Sequence, residues 1–382
     1  MSFRDFFIYR APLYLKKAKE VGLLPDPYEN GRRIDDPPNG YMRTLSGRYQ
    51  PAVLLTAPDL RPHDAHGYDD KINEAGKEYD REVAFGFYEA SDVKIWPEFG
   101  VHQCRPGSFL DIYCGDALSN PKYELPRLAL PFVPAKKMRD GVFLGPSWYH
   151  NFYHWMVDIV PRLQMVALEL AKGTPLIVPD YLTSAQNDVL NFALDQLDLK
   201  QIQVVRLSGR PYQFNRLVMP TAMSSPLDVS PAQRDFLRDI VPSEPSTAGR
   251  RLYISRRDAA IRRIANEDEI EGILKNYGFE TITLSGRSIR EQANIFRHAD
   301  AIISHHGAGL TNLAFCKPST VAIEVFQRGH FTSSFARIAQ LGGLSYGFAV
   351  GEPVGGDTWL DPNQLEELLA NSPLERTNSA FA

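Results

Sequence analysis

The stretch "DAIISHHGAGLTNLAFCKPSTVAIEVF", residues 300–326, contains two apolar runs separated by a glycine-rich turn. The runs "DAIIS" (300–304) and "TVAIEVF" (320–326) have the length and the β-branched content of buried strands. A short helix is predicted within "GAGLTNLAF", between the two runs. Strand, helix and strand in this order indicate a parallel sheet with a right-handed crossover.

The sequence before this stretch continues the same alternation. "RLYIS" (251–255) and "FETITL" (279–284) are predicted strands. Helices are expected after each of them, because Asn266 with Glu269 and Ser288 with Glu291 have the spacing of capping boxes. Four strands separated by helices predict a Rossmann-like α/β domain.

A second α/β series precedes this domain. "PLIVP" (175–179) and "QIQVVRL" (201–207) are predicted strands, and Thr183 with Gln186 forms a capping box for the helix between them. "PSEPSTAGR" (242–250) has the composition of a linker, and the first part of the chain is irregular with short β-like runs. The predicted organisation is an N-terminal Rossmann-like domain with an irregular β-rich start (1–241), the linker (242–250), a C-terminal Rossmann-like domain (251–360), and a C-terminal helix and tail (361–382).

Length and composition limit the class of protein. A chain of 382 residues is too long for one hydrophobic core, so two domains are expected. A net charge of -4 gives no basic field for nucleic acid. The odd number of cysteines lacks C-x-x-C spacing, which argues against a disulfide framework and a cysteine zinc site.

No apolar run approaches the length of a membrane span, and the N-terminus lacks the apolar core of a signal peptide. We therefore expect a cytoplasmic protein. Residues 1–22 interleave aromatic with basic side chains, a mixture that suits either peripheral contact with an anionic membrane or docking on the protein's own domain.

Polar residues follow or end three of the predicted C-terminal strands. They are Arg256 and Arg257 after "LYIS", His305 and His306 after "AIIS", and Glu324 late in "TVAIEVF". Ligands of an open parallel sheet bind beyond the carboxyl ends of its strands. Topology therefore predicts that these side chains converge on one site.

The turn Gly307-Ala308-Gly309 adds backbone N–H groups at the start of a helix, which attract an anion. With an arginine pair the turn suits a diphosphate. A nucleophile elbow would need serine between the glycines, and adjacent histidines at a strand end point different ways, which disfavours zinc. A capped turn with one buried histidine stays an alternative.

The second candidate site is "HNFYHWMVDIVPRL", residues 150–163. A helix from about residue 151 would stack His154, Asp158 and Arg162 on one face, and Pro161 must kink or end it. An imidazole and a carboxylate on a shared face can act in proton transfer.

Two other interpretations of this segment stay open. His150, His154 and Asp158 have the spacing of a metal-binding helix, although the H-E-x-x-H pattern is absent. An ordinary helix with internal pairing of its charged residues is the third interpretation.

Taken together, three stretches resemble the family 61 glycosyltransferases: "HNFYHWMVDIVPRL", "RLYISRRDAAIRRIANEDEI" and "ANIFRHADAIISHHGAGLTNLAFCKPSTVAIEVF". The resemblance spans about residues 140–350, and the family includes plant enzymes that decorate xylan and animal enzymes that add N-acetylglucosamine. It implies a GT-B architecture, in which two Rossmann-like domains face each other across a cleft and the C-terminal one holds the nucleotide-sugar. It also implies an inverting reaction without a catalytic metal or a cofactor.

Position by position, the resemblance assigns Asp158 to the acidic position of an H-x-x-x-D pattern. It assigns Arg257, His306, Gly307 and Asn312 to the donor side. The doubled histidine at 305 is less typical, so the resemblance leaves its role open.

The expected function is transfer of a sugar, most simply from UDP, to a saccharide hydroxyl with inversion. Asp158 would be the base, with His154 either orienting it or serving as the substitute base. Arg256 or Arg257 and the N–H groups of Gly307, Ala308 and Gly309 would receive the charge of the leaving diphosphate, and Glu324 would bind the ribose.

Two alternative functions are a metal-dependent hydrolase built on His150, His154 and Asp158, and an inactive saccharide-binding scaffold. The lack of an apparent anchor or leader leads us to expect a bacterial-type enzyme of surface or capsular polysaccharide synthesis. A lipid-linked saccharide is one acceptor that would suit residues 1–22.

Overall fold

A computed structural model describes residues 32–34, 42–47, 83–97, 101–105, 108–110, 129–145, 149–220, 223–224, 229–245 and 249–376. The predicted membrane-contacting segment, residues 1–22, lies outside these ranges. The chain divides into two compact units. The N-terminal unit contains the described residues up to 224, and the C-terminal unit contains those from 229 onward.

The N-terminal unit is built on a mixed sheet. Its described strands are β1 (Arg32–Ile34), β2 (Met42–Gly47), β3 (Val83–Trp96), β4 (Val101–Arg105), β5 (Ser108–Leu110), β6 (Lys136–Phe143), β7 (Leu176–Pro179), β8 (Val204–Leu207) and β9 (Tyr212–Pro220). The order is β1-β5-β4-β3-β9-β6-β7-β8, with β2 paired to β3. The strands β9, β6, β7 and β8 run parallel, whereas β3 is antiparallel to β2, β4 and β9.

The parallel half of this sheet confirms the predicted strands at β7 and β8. Buried side chains of this sheet, including Phe143, Ile177, Phe214 and Leu217, belong to one hydrophobic core. After β6 the chain forms a π-helix (His154–Ile159), a 3₁₀ turn (Val160–Arg162) and helix α1 (Leu163–Ala171). Helix α2 (Ser184–Gln196) begins at the predicted capping box of Thr183 and Gln186.

The C-terminal unit contains a parallel sheet with one antiparallel edge strand. Its strands are β10 (Arg250–Ile254), β11 (Phe279–Ile282), β12 (Ala299–His305), β13 (Val321–Gln327), β14 (Ser345–Val354) and β15 (Asp357–Trp359). The order is β11-β10-β12-β13-β14-β15, and only β15 is antiparallel to its neighbour in this sheet of described strands. The four strands predicted from sequence are therefore confirmed as adjacent parallel strands.

Helices of the C-terminal unit connect these strands. They are α3 (Pro231–Ile240), α4 (Glu267–Lys275), α5 (Ile289–Arg297), a 3₁₀ helix (Ala308–Phe315), α6 (Ser334–Gly342) and α7 (Pro362–Ala370). The capping box of Ser288 and Glu291 on α5 is confirmed. Leu365, Leu368 and Leu369 of α7 are buried in the same core as Ile303 and Ile323 of the sheet, so α7 is part of the domain.

The predicted capping box of Asn266 and Glu269 on α4 is wrong. The Asn266 side chain makes no cap hydrogen bond to the helix. Its Nδ2 donates to the Leu360 carbonyl at 2.8 Å and to the Glu269 side chain at 3.0 Å, and its Oδ1 accepts from the Leu360 N–H at 3.1 Å. Pairing with a distant backbone segment has replaced the local cap.

The division between the units also differs from the predicted linker at 242–250. Helix α3 lies within the C-terminal unit. The Arg297 guanidinium donates to the carbonyls of Arg238, Val241 and Pro242 at 2.5–2.9 Å, which fixes the end of α3 against α5. Among the described residues, the units separate between 224 and 229.

No helix in the described ranges combines the length and the apolar content that a membrane span requires.

Candidate functional site

The strand order of the C-terminal sheet changes direction at β10. The first connection leads from β10 to β11 on one side, and the next leads to β12 on the other. Ligands of doubly wound sheets bind at the carboxyl ends of the strands beside such a reversal. Arg256 follows β10 here and His306 follows β12, and the Ser304 hydroxyl donates to the Ile254 carbonyl at 3.1 Å across the two strands. The topology thus brings the predicted donor residues to one edge.

His306 is held from behind by a buried carboxylate. Its Nδ1 is hydrogen-bonded to Glu324 Oε1, and the Tyr346 hydroxyl donates to Glu324 Oε2 at 2.5 Å. The His306 ring also stacks on Phe326, with ring centres 5.6 Å apart. These contacts fix the orientation of the ring, and Nε2 is the ring nitrogen that Glu324 does not engage.

Glu324 therefore occupies a different place from the one expected of a ribose-binding residue. It is 1% exposed, it lies within β13 rather than beyond its end, and both of its carboxylate oxygens accept hydrogen bonds from the protein. This geometry favours a positioning role behind His306.

His305, whose role was open, is a structural residue. Its Nδ1 donates to the His306 carbonyl at 3.2 Å, so its Nε2 accepts from the Thr358 hydroxyl at 2.7 Å. Burial lowers the pKa of His305 to about 4, although the backbone hydrogen bond opposes this shift. A neutral, enclosed imidazole of this kind joins β12 to β15.

Gly307 is needed for close approach rather than for an unusual backbone angle. Its φ of 175° is extended backbone that any residue adopts. A Cβ at this position would lie 2.0 Å from Nη1 and 2.8 Å from Cζ of Arg256. The Arg256 guanidinium therefore lies directly on the turn, where its Nε donates to the Arg262 carbonyl at 3.0 Å.

The two adjacent arginines have separate environments. Arg257 is 50% exposed and turns to the start of α4, where it pairs with Glu267 at 2.6 Å, Asp268 at 2.5 Å and Glu271 at 3.3 Å. Its charge is already balanced by three carboxylates. Arg256, which contacts the turn, is consequently the better placed of the pair to bind phosphate.

Asn312 supports the turn from inside the 3₁₀ helix. Its Nδ2 donates to Gly309 O and to Gln292 Oε1, both at 3.0 Å, and the residue is fully buried. Gly309 is close to the Leu284 side chain, and a Cβ there would lie 2.9 Å from Leu284 Cδ1. Ala308 and Gly309 are half-buried, so the start of this helix is partly open.

The N-terminal unit contains the second predicted constellation. His154 Nδ1 is hydrogen-bonded to Asp158 Oδ2 at 2.5 Å, and the side chains are 20% and 18% exposed. This confirms the predicted contact between the two residues. Arg162 does not share their accessible face, because it is 2% exposed within the 3₁₀ turn.

The backbone at this pair is a π-helix, in which the Val160 N–H donates to the Trp155 carbonyl five residues earlier. Wide turns of this kind are rare and occur frequently at functional sites. The Trp155 indole donates to the Gln186 carbonyl at 2.9 Å, and the Gln186 amide donates to the Tyr149 carbonyl at 2.5 Å. These bonds anchor the buried side of the π-helix against α2.

The three predicted metal ligands of this segment are not gathered into a site. Throughout the part of the chain that the structure describes, no group of three histidine, cysteine, aspartate or glutamate side chains has the geometry to hold a metal ion. His150 is exposed, whereas His154 and Asp158 bond to each other. The arrangement favours a proton-transfer pair over a metal centre.

Sequence comparison gives independent information about the same residues. Residues 152–323 match the model of the Glycosyltransferase 61 family. The chain is 26% identical over 211 residues to the β-1,2-xylosyltransferase XAX1 of Oryza sativa subsp. japonica, an alignment that covers 50% of this chain and 37% of that protein. It is 28% identical over 133 residues to the β-1,2-xylosyltransferase RCN11 of the same plant, covering 30% of this chain and 25% of that protein.

The chain thus spans well under half the length of these relatives. Both relatives are plant proteins, so they give no support to the expected bacterial surface-polysaccharide origin. The matched residues include the π-helix pair, β12 and the glycine turn. The family match and the two relatives show that the central part of this chain, residues 152–323, is similar to family 61 glycosyltransferases.

Proposed function

We propose that the protein transfers a sugar from a nucleoside diphosphate to a saccharide hydroxyl, with inversion at the anomeric carbon. The observation that carries this proposal is the Arg256 guanidinium lying on the Gly307 turn beside His306, at the carboxyl ends of β10 and β12. A fixed cation and a helix start at a sheet reversal suit a diphosphate. The family match directs this chemistry toward glycosyl transfer.

The donor side of the reaction is assigned to the C-terminal unit. As the bond between the anomeric carbon and the diphosphate oxygen breaks, its electron pair moves to the diphosphate. Arg256 and the N–H groups of the Gly307–Gly309 turn would receive that charge, and His306 would supply a further hydrogen-bonding group. Preorganised groups of this kind stabilise a leaving group without needing to move during the reaction, and the proposal requires no metal.

The acceptor side is assigned to the N-terminal unit. Asp158 would take the proton from the attacking hydroxyl, whose oxygen bonds to the anomeric carbon. His154 contacts Oδ2 of Asp158, which leaves Oδ1 for the acceptor. A positioned base contributes about 10² to 10⁴ in rate.

UDP-xylose is the first donor to test, and a xylan oligosaccharide is the first acceptor. Both choices rest on the names of the two rice relatives, which are β-1,2-xylosyltransferases. The GT-B arrangement of the two units, the cytoplasmic location and the membrane contact of residues 1–22 stay predictions.

The proposal is tested by comparing Asp158→Asn with wild type for UDP binding and for sugar transfer. We expect transfer to fall at least 100-fold while UDP affinity is unchanged, because the amide cannot accept the proton. Asp195→Asn is the matched control, since Asp195 is exposed on α2 and pairs only with Lys200 at 3.4 Å among the described residues. Normal transfer by Asp158→Asn would remove Asp158 as the base, and a wild-type chain that binds UDP but transfers no sugar would favour the scaffold alternative.

A further inference from the structure

The loop after β10 contains four arginines, which fall into two classes. Arg257 pairs with carboxylates of α4, and Arg263 pairs with Asp357 at 2.7 Å. Within the described ranges, Arg256 and Arg262 form no salt bridge. Asp258 acts on Arg256 only at longer range. Half of the positive charge of the loop is therefore not neutralised by a direct partner.

Arg262 adopts a backbone conformation that a long side chain rarely adopts. Its φ is 60°, in the left-handed region, which is unfavourable for residues other than glycine and asparagine. The loop is fixed there because the Arg262 N–H donates to Gly356 O at 2.8 Å and the Thr358 N–H donates to Arg263 O at 2.9 Å. Strain maintained by several surrounding hydrogen bonds is typical of functional positions.

The side chain of Arg262 is also incompletely satisfied. Its Nε is buried and has no hydrogen-bond partner among the described residues. Buried donors of this kind are rare in folded proteins, and an unfilled ligand site is one explanation for them.

Arg262 contacts Arg256, the cation that lies on the glycine turn. Its carbonyl accepts from Arg256 Nε at 3.0 Å, and the Arg256 guanidinium rests on Gly307. Burial, together with the charges of His306 and Arg262, lowers the pKa of His330, whose ring centre is 5.0 Å from that of His306. Bringing like charges together at a sheet edge is unfavourable unless an anion binds between them.

We propose that Arg262 is a second phosphate-binding residue of the donor site, where it acts with Arg256 as a two-arginine clamp on the diphosphate while Arg257 stays bound to α4. This inference rests on the proposed donor site, and it adds a residue that sequence reasoning did not select. Arg262 differs from the other three arginines of the loop because it combines a guanidinium without a carboxylate partner with a strained backbone.

The test is Arg262→Gly, because glycine removes the guanidinium and adopts a φ of 60° without strain. Arg262→Asn is a second variant that also tolerates this conformation. Arg263→Gln is the matched control, since it removes the neighbouring cation that already has a partner. Isothermal titration with UDP, uridine and inorganic pyrophosphate, each on the full chain, measures the effect.

We expect both Arg262 variants to bind UDP and pyrophosphate at least tenfold more weakly, with uridine affinity and thermal stability unchanged and Arg263→Gln within twofold of wild type. UDP and pyrophosphate binding within twofold of wild type in both variants would overturn the clamp. Pyrophosphate binding that depends on Arg262 in a chain that transfers no sugar would sustain the clamp and reject the proposed transferase. A wild-type chain that binds neither UDP nor pyrophosphate would reject both.

Discussion

The contact between Gly307 and Arg256 predicts that one methyl group weakens donor binding. In Gly307→Ala the new Cβ would lie 2.0 Å from Arg256 Nη1, and the φ of 175° accommodates alanine. The backbone therefore stays in place and the guanidinium must move. We expect the fold to be unchanged and the anion site to lose the contribution of Arg256.

The magnitude follows from the interaction that is lost. A hydrogen bond to a charged group contributes about 1.5–3 kcal/mol. Because about 1.4 kcal/mol corresponds to a tenfold change in affinity, UDP should bind roughly 10- to 150-fold more weakly. Isothermal titration measures the change in Kd, and thermal unfolding verifies that the variant is folded.

Gly272→Ala is the matched control. Gly272 is exposed within α4, and a Cβ there meets nothing within 4 Å. This variant should keep its UDP affinity and gain about 0.5–1 kcal/mol in the free energy of unfolding, because alanine favours a helix over glycine.

A double-mutant cycle identifies the cause of the loss. If Gly307→Ala acts by displacing Arg256, then adding it to Arg256→Ala should not weaken UDP binding further. Additive losses, or UDP binding by Gly307→Ala equal to wild type, would refute the placement of Arg256 on the turn.

Three further predictions concern buried groups. Replacing Glu324 by alanine should weaken UDP and 2′-deoxy-UDP by the same factor, since the residue positions His306; a loss confined to UDP would restore the ribose role. His305 has its pKa lowered to about 4 by burial, so stability of the C-terminal unit should fall as pH drops from about 6.5 to 4, and His305→Gln should reduce that fall in thermal unfolding. Burial raises the pKa of Glu169, but hydrogen bonds from Arg216, Thr174 and Lys172 outweigh this effect and lower the pKa to about 2. The ionised Glu169 side chain therefore stabilises the fold above about pH 4.5, and this contribution is lost as the pH falls toward 2. If Glu169→Gln lost stability between pH 4.5 and 2 as wild type does, the result would contradict this.

The C-terminal sheet could be predicted from sequence because its signals are local. Each buried strand is a short apolar run, and the cap of α5 is formed by residues three positions apart. The carboxyl-end rule then placed Arg256 and His306 at one edge without any knowledge of distances. The contact of His154 with Asp158 follows similarly from helical spacing.

The long-range pairings could not be predicted in this way. Glu324 is buried because its partners include Tyr346, which lies 22 residues later, and the Asn266 cap is replaced by bonds to Leu360, 94 residues later. The sequence around two adjacent histidines does not show which of them is enclosed. For His305 the enclosure comes from its hydrogen bond with Thr358, 53 residues later. Strand β9 has the sequence "YQFNRLVMP" and lies in the middle of its sheet. Its polar residues interrupt the apolar run by which a central strand is recognised in a sequence.

Arg262 shows the same limit. The sequence does not show which of the four arginines in this loop have carboxylate partners, and only the placement of the carboxylates on α4 and β15 separates them. The left-handed conformation at Arg262 depends on backbone contacts with the turn between β14 and β15, about 94 residues away.

The most direct test of the central claim is the anomeric configuration of the product. The purified chain would be incubated with a panel of UDP-sugars, UDP-xylose first, and a xylan oligosaccharide, and the new linkage would be assigned by NMR. The proposed inverting transfer predicts acceptor-dependent release of UDP and an equal amount of β-linked product from an α-linked donor. An α-linked product, or no consumption of any nucleotide-sugar, would contradict it.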